Sequence, residues 1–212
     1  MRSFHFALAL FCICVFAASA QATSLYTPLI DFRDEDPWAD AEYETHYTGT
    51  QSGVSLTIRA NPSPATFWQD DKDGLGVRLS YEKDEIEAEE VLEVVFNTTV
   101  AVSAIYISDL FIERGYVETG SYRINRGTWV EFDAKNLPGT GARDSNGEHI
   151  IDLGGLIGGV QLVEFRAPGK FFEDEHHEFA LMGFDAIPAE VPEPSTALLL
   201  GIGLVGLAAR RR

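Results

Sequence analysis

Apolar and polar residues alternate in short runs through the middle of the chain. Val54, Leu56 and Ile58 alternate with Ser55, Thr57 and Arg59. Val77, Leu79 and Tyr81 alternate with Arg78 and Ser80, and Leu92, Val94 and Phe96 share one side. A period of two predicts strands with one buried face. Val100, Val102 and Ala104 keep the alternation, and Ile105 and Ile107 then shift its phase, which predicts a bulge. Further strands are predicted from Trp129 to Phe132, Val160 to Phe165 and Phe179 to Ile187, with Leu29 to Arg33 opening the sheet. The breaks are turn chemistry: Asn61-Pro62, Asp73-Gly74, Arg126-Gly127, Pro138-Gly139 and Asn146-Gly147. Many short strands between such turns predict an all-β fold, an antiparallel β-sandwich of jelly-roll type. The one helix-like stretch is Asp84 to Glu90, short and acidic. No internal repeat is evident.

Both ends depart from this pattern. Arg2 precedes an almost wholly apolar run from Phe4 to Ala18, and Ala18-Ser19-Ala20-Gln21-Ala22 follows. A basic start, an apolar stretch too short to span a bilayer and small residues at alternate positions make a signal peptide over residues 1–22. Cleavage is expected after Ala20 or Ala22. Cys12 and Cys14 leave with it, and no other cysteine exists, so the mature chain has no disulfide and no thiolate. Residues 23–190 are then one extracytoplasmic domain, large enough to rest on its own apolar core.

Residues 191–212 read VPEPSTALLLGIGLVGLAARRR. Pro192 and Pro194 fix their own φ and push the preceding residues out of the helical region. Thr196 to Ala209 carries no charge and predicts a single apolar helix of about 21 Å at 1.5 Å per residue. Arg210 to Arg212 can snorkel to the headgroups and stay on the cytoplasmic side, which leaves the domain outside the inner membrane. The order of parts resembles the PEP-CTERM sorting signal, with Pro192, Glu193, Pro194 and Ser195 as its motif, then the helix and the basic end. The resemblance implies an exosortase partner, transient anchoring, and association with exopolysaccharide or biofilm. The order Gly74-Leu75-Gly76-Val77, Asp84-Glu85-Ile86, Leu92 to Phe96, Ile105 to Leu110 and Phe179 to Ile187 resembles, more loosely, jelly-roll domains of such exported proteins. Those domains look like carbohydrate-binding modules.

Charge narrows the partners. Residues 23–190 hold twelve basic and thirty-two acidic side chains, a net charge of −20. Such a domain repels nucleic acid and anionic headgroups. It favours solubility and is compatible with divalent cations. Asp70, Asp71 and Asp73, on a turn closed by Gly74, are the best cation candidates, because Ca2+ takes several hard oxygen ligands. They do not fit an EF-hand, and a solvated acidic turn is the simpler account. Asp84, Glu85 and Glu87 could add ligands only if the fold brings them near. Glu173 to Glu178 contains His176 and His177, but neighbouring side chains diverge on extended chain, and no zinc spacing is present.

Trp38 and Trp68 sit among acidic residues and prolines in loop-like sequence, so they are the candidates for sugar stacking. Trp129 falls in a predicted strand and is expected in the core. No nucleophile motif is present, and His46 and His149 stand alone. So many carboxylates make any close pair uninformative as a sign of glycoside hydrolysis. Two readings follow: a non-catalytic surface or matrix module that binds polysaccharide or is simply structural, or an exported glycan hydrolase using a carboxylate pair.

Overall fold

The computed structural model describes residues 28–71, 73–79, 85–113, 116–138, 147–169 and 177–189. The predicted signal peptide and C-terminal helix lie outside them. Strands dominate, as the alternation predicts. They are β1 (Ile30–Asp31), β2 (His46–Gln51), β3 (Val54–Asn61), β4 (Thr66–Asp70), β5 (Gly74–Arg78) and β6 (Val91–Ser108). Then come β7 (Ile112–Glu113), β8 (Tyr116–Val117), β9 (Thr119–Ile124), β10 (Val130–Asp133), β11 (His149–Arg166) and β12 (Ala180–Pro188). The described part of the predicted acidic helix, Glu85 to Glu90, is not helical.

The strands do not divide into the two sheets of a sandwich. Ten of them form one antiparallel sheet, in the order β10-β9-β11-β6-β12-β5-β4. Off that path β3 pairs β6, β2 pairs β3 and β1 pairs β12, while β7 and β8 make a separate small ladder. The reason is the length of β6 and β11, 18 residues each. Val91 to Phe96 of β6 lies between β3 and the end of β11, whereas Val100 to Ser108 lies between the start of β11 and β12. Two strands that serve both parts of the sheet make it curl into a half-barrel instead of splitting.

Bulges let the long strands bend. Ala104 and Val102 face the consecutive residues Asp185 and Ala186, which leaves Ser103 as an extra residue on β6. This is the phase shift visible in the sequence. It keeps Val100, Val102, Ile105 and Ile107 in one core, and turns Ala104 and Tyr106 outward to a small cluster with Met182. The core holds Phe32, Trp38, Phe67, Phe165, Phe179 and Phe184, all fully buried. β1 approaches β12 so closely that a Cβ on Gly183 would lie 2.0 Å from the carbonyl oxygen of Ile30.

Candidate ligand-binding face

The outward positions of β3, β6, β11 and β9 line up across the sheet. Register places Arg59 opposite Glu93, Glu93 opposite Glu164, and Glu164 opposite Arg123. Partners in register point to the same side, so these four form one transverse row. Arg59 approaches Glu93 at 3.9 Å. Arg123 binds Glu164 through both nitrogens, Nε to Oε2 and Nη2 to Oε1, each at 2.6 Å. Hydrogen bonding to Glu164 outweighs the cost of burial and raises the Arg123 pKa above its ordinary value. Trp129 extends the row just before β10. Its ring centroid lies 4.5 Å from Cζ of Arg123 and 4.1 Å from Cζ of Arg166.

Trp129 is therefore not a core residue, contrary to the expectation from its apolar neighbours. Strand β10 begins one residue later, at Val130, and the indole lies half-exposed against two guanidinium groups. Beside the row runs an open groove of about 460 Å³ lined by Arg59, Glu93, Asn125, Arg126 and Gln161, with Val95 and Leu162 as its apolar part. Asn125 and Arg126 both have positive φ, 50° and 59°, in the turn after β9. Asn125 holds that turn in place: its Oδ1 accepts from the backbone of Gln161 and Leu162, and its Nδ2 donates to Gly159. Arg126 is left exposed at the groove. A second hollow of about 440 Å³ is lined by Arg166 together with Glu89, Glu90, Val91 and Ala167 to Gly169.

The two sequence-predicted tryptophans part company. Trp38 is fully buried and cannot stack on a ligand. Its ring packs edge-on to Phe32 at 4.8 Å and to Tyr47 at 6.4 Å, and Nε1 donates to Gln51. The loop-like composition around it reflects an irregular turn over Glu35–Trp38, with non-helical backbone at Asp36 and Pro37, that packs against β2. Trp68 is half-buried on β4, with Tyr43 edge-on at 6.1 Å and Arg78 over its ring at 4.6 Å. It is a second aromatic–guanidinium surface, and neither described groove is lined by it.

The acidic candidates are also regrouped. Asp70 pairs with Gly74 across the β4–β5 turn, Asp71 is exposed, and the Asp73 carbonyl accepts from Ser108 Oγ at 2.5 Å. Glu85 and Glu87 do not join them, since Glu85 lies at the far end of β5, where its carbonyl accepts from Val77. Instead Glu85, Glu87 and Glu178 bring carboxylate oxygens within 4.8 Å of one another. Each of the three already engages another group. His177 Nδ1 meets Thr119 Oγ1 at 3.2 Å, and His176 lies outside the described residues.

Comparison with family models gives one match: residues 190–212 fit the PEP-CTERM protein-sorting motif. The chain carries a PEP-CTERM sorting motif. The motif implies export and membrane-associated processing by an exosortase. Comparison with curated proteins and with solved structures finds no match. The motif residues Pro192, Glu193, Pro194 and Ser195, and the cleavage residues Ala20 and Ala22, lie outside the described residues. Among the described residues no helix is long and apolar enough to cross a membrane.

The arginines were missed in the sequence because alternation shows only that Arg59 faces outward, and the strand that carries Arg123 is not predicted. Which outward residues become neighbours depends on register between strands distant in sequence, such as β6 and β11.

Proposed function

We propose that the folded domain of this PEP-CTERM protein is a non-catalytic module that holds a polysaccharide of the cell surface or matrix across its arginine–tryptophan face. The observation that carries the reading is Trp129, half-exposed beside two guanidinium groups at one end of a row whose other end, Arg59 and Glu93, lines an open groove. An indole offers a flat apolar surface to the C–H side of a pyranose. Arginine forks and the amides of Asn125 and Gln161 suit vicinal hydroxyls or the carboxylate of a uronic acid. Glu93 and Glu164 face each other across β6 and β11, but each is paired with an arginine, and both oxygens of Glu164 are taken by Arg123. A carboxylate whose two oxygens are both engaged by an arginine fork is not free to act on a ligand, which supports binding over hydrolysis.

The test is affinity electrophoresis through gels containing exopolysaccharide from the native host. The wild-type protein is expected to be retarded, with the apparent Kd raised at least about tenfold by Trp129→Ala or Arg126→Ala. Trp68→Ala is expected to leave retardation unchanged. Unretarded wild-type protein would refute the reading. Release of new reducing ends that is lost in Glu93→Gln would establish the hydrolase instead.

A further inference from the structure

Between Asp152 and Val160, β11 departs from its ladder. Asp152 faces Ala104, Ile157 faces Val102 and Val160 faces Val100, so several residues have no partner on β6. The extra chain reads Leu153-Gly154-Gly155-Leu156-Ile157-Gly158-Gly159. Gly154, Gly155 and Gly159 have φ of 73°, 139° and 78°, values that favour glycine, and the Asp152 carboxylate caps the turn through the Gly154 N–H. Glycine lets this stretch bulge from the ladder; Leu156 within it and Ile157, where pairing with Val102 resumes, are 60% and 37% exposed. No charged residue occurs from Leu153 to Val160 in this strongly acidic protein.

The same edge is where the chain leaves the domain. Pro188 faces Val100, and the Ala189 N–H bonds to Thr99. Ile187, 42% exposed, lies one strand beyond β6, opposite Ala101. Strand spacing and rise put the loop and the exit roughly 15 Å apart. The matched motif begins at residue 190, and the uncharged stretch at Thr196. Seven residues from Ala189 reach at most about 25 Å. Any membrane that receives the tail is therefore within about 25 Å of the exit at Ala189.

We propose that Leu156, Ile157 and Ile187 form a lipid-contacting edge that rests on the bilayer holding the tail, and so fixes how the domain stands while the motif is presented for processing. The proposal rests on the tail being membrane-inserted, which the sorting motif implies. A net charge of −17 keeps the rest of the protein away from anionic headgroups, and an uncharged aliphatic edge is the part that can approach them.

The test uses the full chain with Cys12 and Cys14 replaced by serine, reconstituted into vesicles of phosphatidylethanolamine and phosphatidylglycerol at three to one. A polarity-sensitive fluorophore is attached at one introduced cysteine: Leu156→Cys, Ile187→Cys, Asn136→Cys or Leu204→Cys. Labels at 156 and 187 are expected to shift to the blue and to be quenched at least twofold more by shallow spin-labelled lipid than the label at exposed Asn136. Quenching at 204 with none above the Asn136 level at 156 and 187 would overturn the lipid edge alone. Absence of quenching at 204 would overturn tail insertion, and the edge with it. A blue shift at 156 without lipid quenching, together with disulfide-linked dimers of the unlabelled Leu156→Cys protein on oxidation, would assign the patch to a second copy and equally overturn the proposal.

Discussion

Arg123 grips both carboxylate oxygens of Glu164 across β9 and β11, at 2.6 Å each, while its guanidinium carbon lies 4.5 Å from the ring of Trp129. One side chain thus anchors a nearly buried carboxylate and supports the indole of the candidate face. Arg123→Ala is expected to lower stability by about 1–2 kcal/mol, since it leaves Glu164 desolvated on one side while solvent screens the other. It should also free Trp129, seen as a red shift and loss of anisotropy in tryptophan emission. Arg123→Lys, a point charge without the fork, should recover part of the stability and little of the indole order.

The contrast between Trp38 and Trp68 gives a second prediction. Trp38→Ala removes a fully buried ring that lies against Gly49, where a Cβ would come 2.6 Å from Cζ3. It should cost about 3–5 kcal/mol. Gly49→Ala should cost about 1–3 kcal/mol by overpacking the same place. Trp68→Ala loses a half-exposed ring and one cation–π contact, and should cost about 1 kcal/mol. Denaturant midpoints at constant slope measure all three.

Asp133 predicts a pH dependence. Burial pushes its pKa up, but the Asn136 side chain, the N–H groups of Asn136 and Lys135, and the Lys135 charge together bring it below the ordinary aspartate value. A carboxyl with a lowered folded pKa adds stability that is fully present above its unfolded pKa of about 3.9 and is lost as pH falls through the folded value. Asp133→Asn should therefore be less stable than wild type by about 1 kcal/mol at pH 7, with the gap closing below about pH 3. Thermal melts across pH 2 to 7 would show whether the two curves converge.

Processing of the tail gives the fourth. The protein recovered outside the inner membrane of its native host is expected to have the mass of a chain ending near Val191. Pro192→Ala with Pro194→Ala should leave it intact and membrane-bound. A wild-type chain still ending at Arg212 in the membrane fraction would mean a plain anchor in place of a processed signal.

Much of the fold was legible because burial on one face forces alternation. The outward Thr57 and Arg59 and the inward Leu56 and Ile58 identify β3, and the slip after Ala104 locates the bulge at Ser103 to within one residue. β2, β4 and β9 were not seen, since His46–Gln51, Thr66–Asp70 and Thr119–Ile124 are short and largely polar or glycine-bearing. Nor was the first half of β11, where glycines replace the apolar beat. A single sheet and a sandwich share the same local pattern, and only the pairing of β6 with three partners separates them. The candidate face was hidden for the same reason. Trp129 reads as a core residue beside Val130 and Phe132, and nothing local says that Arg166 will lie against it.

The last strand among the described residues sits in the middle of the sheet, with β6 on one side and β5 and β1 on the other. A polypeptide threaded through a secretion channel from its amino end delivers that strand last. Until Ala180 to Pro188 emerge, β1, β4 and β5 have no partner that joins them to β6, and the core stays open along its length. The sorting motif begins two residues after the strand ends. Closure of the sheet and arrival of the tail at the membrane therefore coincide, and a protein that reaches the processing step has, by its strand order, only just become able to fold.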